Sequence, residues 1–158
     1  MIYLLIGIQG AGKTTFANEL AKEKNMVIIS TDMVRKNNPG IKEELVWPYV
    51  YEQVAINAKK NLDVIFDATS ITPKVRKRFM DEVNKFSVDS LFGAFFFETD
   101  KVECYNRVVK RNSMEGELFL PPEVVYSYSE RLVPPTLEEG FKVIYIVKNG
   151  KVVEEING

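Results

Sequence analysis

Short apolar runs alternate along this chain with longer segments in which apolar residues recur at helical spacing. The runs with the length and composition of buried strands are residues 2–6, 26–30, 62–66 and 91–97. The segments with helical periodicity are residues 13–24, 43–60, 73–86, a stretch that Asp100 would cap, and 123–132. This alternation predicts βαβ units, in which helices cover both faces of a mostly parallel sheet.

The end of the chain predicts a different connection. Residues 142–147 and 152–156 are largely apolar and flank Asn149 and Gly150, a pair that favours a tight hairpin turn. Such a hairpin adds an antiparallel strand at the edge of the sheet. We therefore expect an α/β fold that forms one domain over residues 1–158, a length typical of single domains.

Composition and charge narrow the range of functions. Hydrophobic residues make up 46% and charged residues 27% of the sequence, as expected for a soluble globular protein. No apolar run approaches the ~20 residues that a membrane-spanning helix needs. The formal net charge of −1 argues against a protein that coats nucleic acid through bulk positive charge, although it is compatible with a local basic groove.

Histidine and cysteine usage excludes several kinds of site. The sequence contains no histidine, which rules out Ser/His/Asp triads and His-ligated metal sites. Cys104 is the only cysteine, so an intrachain disulfide and a cysteine zinc cluster are ruled out as well. We expect a reducing, cytoplasmic location, which is the default for such a chain.

Residues 7–15 read Gly-Ile-Gln-Gly-Ala-Gly-Lys-Thr-Thr and match the phosphate-binding loop (Walker A) pattern, between a predicted strand and a predicted helix. Glycines let successive N–H groups turn toward a phosphate, and the helix directs its N-terminal dipole at the same anion. Lys13 would reach the β- and γ-phosphates of a nucleotide, and the Thr14 hydroxyl would ligate Mg²⁺. A simple glycine turn is the alternative. The pattern predicts a nucleotide phosphate site comprising Gly10, Ala11, Gly12, Lys13, Thr14 and Thr15.

Two acidic residues follow or end predicted strands, at the carboxyl edge where open α/β sheets hold ligands. Asp32 would accept the proton of an acceptor hydroxyl, and Arg35 lies three residues later on the same helical face. Asp67 could hold a Mg²⁺-bound water or brace a cation such as Arg35. The alternatives are that Asp32 caps a short helix and that Asp67 caps a loop.

Basic residues cluster at two places. Arg107, Lys110 and Arg111 precede the flexible stretch 112–120, where arginines would clamp a γ-phosphate through planar hydrogen bonding. The densest basic run, which would attract a phosphate backbone, comprises Lys74, Arg76, Lys77 and Arg78. For both clusters the alternative is a solvated helix face.

The ordered set of motifs resembles the P-loop kinase domain of polynucleotide 5′-hydroxyl kinases, including the phage and eukaryotic enzymes. The resemblance runs from Ile2 to about Val147 and is more specific than the phosphate-binding loop alone. It rests on the loop at 7–15, Ser30-Thr31-Asp32 with Arg35, Asp67-Ala68-Thr69, Arg107 with Arg111, Pro121-Pro122-Glu123-Val124-Val125, and the stretch 134–141.

This resemblance implies a three-layer P-loop kinase fold with a small helical lid at about 107–122, and it implies ATP and Mg²⁺. By residue, it implies that Asp32 is the general base for a 5′-hydroxyl, that Arg35 contacts the acceptor's phosphate, and that Arg111 is a lid arginine over the ATP phosphates. Lys13 completes the catalytic set, and Arg107 joins the nucleotide-binding set. The implied substrate contacts are Asp32, Arg35, Asp67, Thr69 and Arg76, and the stretch 134–141 would lie near the adenine.

The leading hypothesis is thus transfer of the ATP γ-phosphate to the 5′-OH end of DNA or RNA. A separate chain would then supply any phosphatase or ligase step, since no such module accompanies the kinase. The first alternative is a small-molecule kinase of the same fold, acting on a nucleoside, sugar acid or antibiotic hydroxyl. The second is a non-catalytic ATP-binding switch or toxin-neutralising partner.

Overall fold

A computed structural model describes all residues from 1 to 158 and contains six strands and six helices. The strands are β1 (Ile2–Ile6), β2 (Val27–Ser30), β3 (Val64–Asp67), β4 (Phe92–Phe97), β5 (Phe141–Lys148) and β6 (Lys151–Asn157). The helices are α1 (Lys13–Lys24), α2 (Thr31–Asn37), α3 (Glu43–Lys59), α4 (Pro73–Asn84), α5 (Lys101–Asn112) and α6 (Val124–Arg131). A single 3₁₀ turn, Leu137–Glu139, precedes β5.

The strands form one sheet in the order β2-β3-β1-β4-β5-β6. The first five run parallel, and β6 pairs antiparallel with β5 as the predicted hairpin. Parallel strands bring their carboxyl ends to one edge: Asp67 lies opposite both Leu5 of β1 and Ser30 of β2. The structure confirms the predicted α/β fold with a mostly parallel sheet and an antiparallel edge.

Two apolar layers hold helices against opposite faces of the sheet. Because side chains alternate along a strand, Leu4 of β1 packs among residues of α3 and α4, whereas Leu5 packs among residues of α1, α5 and α6. On the first face the rings of Phe66 and Phe79 are stacked with centroids 4.2 Å apart. Truncating either ring to alanine would cost about 3–5 kcal/mol, so this layer fixes α4 firmly against β3.

Helix α2 occupies a segment between the predicted strand 26–30 and the predicted helix 43–60, where the sequence shows no helical periodicity. Ser30 caps it, since the Met33 N–H donates to the Ser30 hydroxyl oxygen over 3.3 Å. Asp32 therefore lies in the first turn of the helix and is not its N-cap. Only Thr31 and Val34 of this helix are buried, which explains why no apolar periodicity marked it.

None of the six helices combines the length and the apolar character that crossing a bilayer requires.

Candidate active site

The phosphate-binding loop joins β1 to α1 at the carboxyl edge of the sheet. The Gly7 N–H donates to the Thr69 carbonyl oxygen over 3.0 Å, which ties the loop to the segment after β3. Gly10 has a φ of 80°, and a Cβ there would lie 2.5 Å from the Cys104 carbonyl oxygen. No other residue fits at this position, so the backbone of Gly10 packs directly on α5.

Lys13 is the first residue of α1, and its side chain turns back into the loop. It is buried, and its ammonium donates to the Ile8 carbonyl oxygen over 2.8 Å. Burial lowers the pKa of Lys13, while the nearby charge of Asp67 opposes that shift. A buried ammonium with one neutral acceptor is incompletely satisfied, so an anion beside the loop would gain a strong interaction.

Thr14 and Asp67 bring two oxygen donors together next to Lys13. The Thr14 hydroxyl donates to a carboxylate oxygen of Asp67 over 2.9 Å, and Asp67 itself is buried. Burial raises the pKa of Asp67, against the opposing effects of Lys13 and the Thr14 hydrogen bond. Both donors are of the kind that Mg²⁺ prefers. These two residues would hold a Mg²⁺ ion, which would neutralise negative charge on bound phosphates.

Asp32 lies at the same edge as the phosphate-binding loop. Its charge acts on the pKa values of both Lys13 and Asp67, so the three groups share one electrostatic environment. Its carboxylate is largely exposed and accepts a hydrogen bond from Arg35 over 2.9 Å. The structure thus brings the predicted acceptor-side pair, Asp32 and Arg35, together beside the predicted donor site.

Glu43 is a site residue that the sequence analysis missed. It is the first residue of α3, and its carboxylate accepts a hydrogen bond from Nε of Arg35 over 3.1 Å and a second one from Nη2. The hydrogen bonds and charge of Glu43 raise the pKa of Arg35, with a smaller contribution from Asp32. Arg35 and Glu43 stand eight residues apart on different helices, so no periodicity in the sequence pairs them.

The two predicted lid arginines lie on α5 on the other side of the loop. Arg107 is exposed and donates to the Gly10 carbonyl oxygen over 3.0 Å. Arg111 is partly buried, and its Nε atom has no hydrogen-bond partner. The charge of Arg111 lowers the pKa of both Lys13 and Asp67, as a cation near them should. Both arginines therefore border the loop, and Arg111 retains an unused donor.

Arg76 does not join this group, contrary to its predicted role as a substrate contact. Its side chain is 0% exposed and donates to both carboxylate oxygens of Glu139 and to the Ser70 carbonyl oxygen. Helical geometry turns Arg76 toward the interior, whereas Lys74, Lys77 and Arg78 lie on the outer face of α4. The basic run therefore consists of one buried arginine, paired with Glu139, and three exposed cations.

The C-terminal part of the stretch 134–141, which was predicted to lie near the adenine, also lies away from the phosphate-binding loop. Glu139 contacts Arg76 of α4, and Phe141 lies opposite Phe92 at the amino edge of the sheet. A cavity of about 360 Å³ lies instead beside the loop at the carboxyl edge. Its lining includes Ile8, Thr99, Asp100, Ser129 and Lys148.

Solved structures share this fold at low sequence identity. A candidate kinase from Chloroflexus aurantiacus J-10-fl matches with a TM-score of 0.72 at 15% identity, covering 94% of this chain and 85% of that one. A gluconokinase from Sinorhizobium meliloti 1021 matches with a TM-score of 0.60 at 16% identity, covering 92% and 81%. A fungal RNA kinase matches with a TM-score of 0.66 at 20% identity, covering 97% of this chain but 38% of the other. These likenesses establish a shared fold.

A family model adds a match at the level of sequence. The model, described as an AAA domain (AAA_33), covers residues 2–135. That range contains the phosphate-binding loop, Asp32, Asp67, Arg107 and Arg111. Since the match spans most of the chain, the protein belongs to this AAA domain family, and it has the fold of the P-loop kinases.

Proposed function

We propose that the protein is an ATP-dependent polynucleotide kinase that phosphorylates the 5′-OH end of DNA or RNA. The observation that carries the proposal is the position of the Asp32–Arg35 pair in the helix that begins after Ser30, since Ser30 lies opposite Asp67, the hydrogen-bond partner of Thr14. A carboxylate that can accept a proton and a cation that can hold an acceptor thereby adjoin a site for a triphosphate. Transfer to a hydroxyl needs this combination.

On the donor side, the chain's own residues would hold and neutralise the triphosphate. Backbone N–H groups of residues 10–14 and the start of α1 would bind the β-phosphate, and Lys13 would bridge the β- and γ-phosphates. Thr14 and Asp67 would hold Mg²⁺, which when bound neutralises charge on the phosphate oxygens. Arg111, whose charge already acts on Lys13 and Asp67, would stabilise the γ-phosphate, the group whose charge is redistributed during transfer.

On the acceptor side, Asp32 would act as the general base. Its carboxylate would accept the proton of the 5′-hydroxyl while the oxygen forms a bond to the γ-phosphorus and the bond to the β-phosphate oxygen breaks, releasing ADP. Arg35 would orient the acceptor and hold Asp32 through the 2.9 Å hydrogen bond. The products are ADP and a 5′-phosphorylated end, and the proton is carried on Asp32.

The test is transfer of labelled γ-phosphate from ATP and Mg²⁺ to short 5′-OH oligonucleotides, with DNA and RNA in parallel. We expect label on the oligonucleotide, and we expect Asp32→Asn to lower kcat by about 10²-fold or more because the proton acceptor is lost. Asp89→Asn is the matched control, since Asp89 is exposed in the loop before β4 and makes no hydrogen bond or ion pair. Absence of transfer with ATP binding intact would refute the proposal.

A small-molecule kinase is the second candidate, and a specific observation favours it. Arg35 is already paired with two carboxylates, Asp32 and Glu43, which leaves the acceptor side with one cation and two anions. A sugar or nucleoside hydroxyl without a phosphate would meet no electrostatic penalty there. Label transfer to such acceptors, in the absence of transfer to oligonucleotides, would establish this alternative.

A further inference from the structure

Arg35 is held by carboxylates on two of its sides. Its Nε and Nη2 atoms donate to the two carboxylate oxygens of Glu43, and its Nη1 atom donates to Asp32 over 2.9 Å. The side-by-side Nε and Nη2 donors form one of the two edges through which a guanidinium binds a phosphate with paired hydrogen bonds. In this structure both donors of that edge bind the carboxylate of Glu43.

An acceptor phosphate would therefore compete with Glu43 for Arg35. A phosphate and a carboxylate require the same donors, and bringing both anions to one guanidinium adds repulsion between them. The other edge is formed by Nη1 and Nη2, and Nη1 already donates one hydrogen bond to Asp32. Paired binding of a phosphate at the Nε and Nη2 edge of Arg35 thus requires Glu43 to leave.

Glu43 is placed so that it can leave at little structural cost. Its side chain is 64% exposed, and the hydrogen bonds of its carboxylate are those to Arg35. It follows the turn at Pro39 and Gly40, where Gly40 has a φ of 84°. Because Glu43 is the first residue of α3, the helix dipole still stabilises its negative charge after the carboxylate has left Arg35.

We propose that Glu43 is a specificity-determining residue that occupies the anion-binding edge of Arg35 until an acceptor phosphate next to the reacting hydroxyl displaces it. The inference rests on the proposed function, and it names the acceptor's single neighbouring phosphate as the group being recognised. A nucleoside without that phosphate leaves the contact between Arg35 and Glu43 in place. Glu43 thus weakens the binding of acceptors that carry the phosphate and leaves the binding of neutral acceptors unchanged.

The experiment compares wild type, Glu43→Gln and Glu44→Gln on a nucleoside 3′-monophosphate and on the corresponding nucleoside. Glu44 is the matched control, because it lies in the same first turn of α3, is exposed and makes no ion pair. We expect Glu43→Gln to lower KM for the monophosphate about fivefold, as removal of a partly exposed charged competitor should. For the nucleoside, KM should stay within about twofold in all three proteins.

A second measurement keeps this inference separable from the proposed function. With Mg²⁺ and ADP saturating the phosphate-binding loop, titration calorimetry with inorganic phosphate should give about fivefold tighter binding to Glu43→Gln than to wild type. Equal phosphate affinity in both proteins would overturn the inference whether or not any acceptor is phosphorylated. A parallel rise in KM for both acceptors would overturn it too, because Glu43 would then only position Arg35. Failure of wild type to phosphorylate either nucleotide or oligonucleotide would instead refute the proposed function.

Discussion

Asp67 illustrates at the residue scale how a site for a ligand costs stability when the ligand is absent. Burial raises its pKa above the value of a free carboxyl, and this effect exceeds the opposing attraction of Lys13 and the hydrogen bond from Thr14. The folded protein therefore holds the Asp67 proton more tightly than the unfolded chain does. Stability from this group is present at low pH and is lost as the pH rises through the folded-state pKa.

We expect Asp67→Asn to raise the Tm of the nucleotide-free protein by a few degrees near neutral pH, because asparagine cannot ionise. The difference from wild type should shrink as the pH falls toward about 4, the pKa of a free aspartate, below which the carboxyl is protonated in both states. Thermal unfolding followed by circular dichroism between about pH 4 and pH 8 measures this. Adding Mg²⁺ and ADP should then stabilise wild type more than the variant. A lower Tm for the variant at every pH would show that the pairing of Asp67 with Lys13 outweighs burial.

At this scale, the sequence predicted the residues that belong to one local motif. Lys13 and Thr14 follow from the loop pattern, and Asp67 follows from its position at the end of a buried strand. The contact between Arg35 and Glu43 was not predictable, because it depends on how α2 and α3 are oriented. The burial of Arg76 was missed for a similar reason: its partner, Glu139, is 63 residues away.

Arg76 and Glu139 connect elements that the sheet alone does not fix. Their ion pair, with an Nε–O distance of 2.7 Å, links α4 to the 3₁₀ turn before β5. Glu139 also accepts from the Thr136 N–H over 2.9 Å, and Arg76 donates to Ser70 in the segment after β3. The pair thus braces the segment 68–72, whose Thr69 carbonyl supports the phosphate-binding loop.

Removing one partner of this pair should be costly, since the other charge would remain buried without compensation. We expect Glu139→Ala to lower the free energy of unfolding by about 3 kcal/mol, as measured by urea denaturation. Glu138→Ala is the control: the neighbouring residue is exposed, makes no ion pair, and should change the free energy by less than about 0.5 kcal/mol. Equal effects of the two substitutions would show that the ion pair adds nothing to stability.

Most elements were predictable from their apolar pattern, and α2 was the exception. Helices α1, α3, α4, α5 and α6 were predicted from periodicity or caps, to within a few residues at their ends. Helix α2 has seven residues with only two of them buried, so it buries too little to leave a period in the sequence. Its formation depends on the Ser30 cap and on contact with α3, and the contact with α3 is supplied only by the tertiary structure.

For the whole molecule, the distribution of charge limits how much of a polynucleotide the protein can hold. The chain carries 21 basic and 22 acidic residues, and the densest basic run is split by α4 into buried Arg76 and an exposed face. On that face Lys77 is paired with Asp81. Near Asp32, the cations Arg35 and Lys36 are paired with Glu43 and Glu117. These pairings reduce the positive charge that the residues around Asp32 and on α4 could offer to a phosphate backbone.

It follows that acceptor binding should depend weakly on salt and hardly at all on acceptor length. Each phosphate contact with a single strand contributes a slope of about 0.7 in log affinity against log salt, so one contact at Arg35 predicts a slope below about 1. Displacement of Glu43 should lower it further, because one anion replaces another. The measurement uses two oligonucleotides with a 5′-OH end, about 3 and about 20 nucleotides long. For each of them, KM is measured between about 50 and about 200 mM KCl, and the two salt slopes are compared. A slope of about 3 or more that appears only with the longer acceptor would contradict single-phosphate recognition, because it would require several cations along the strand.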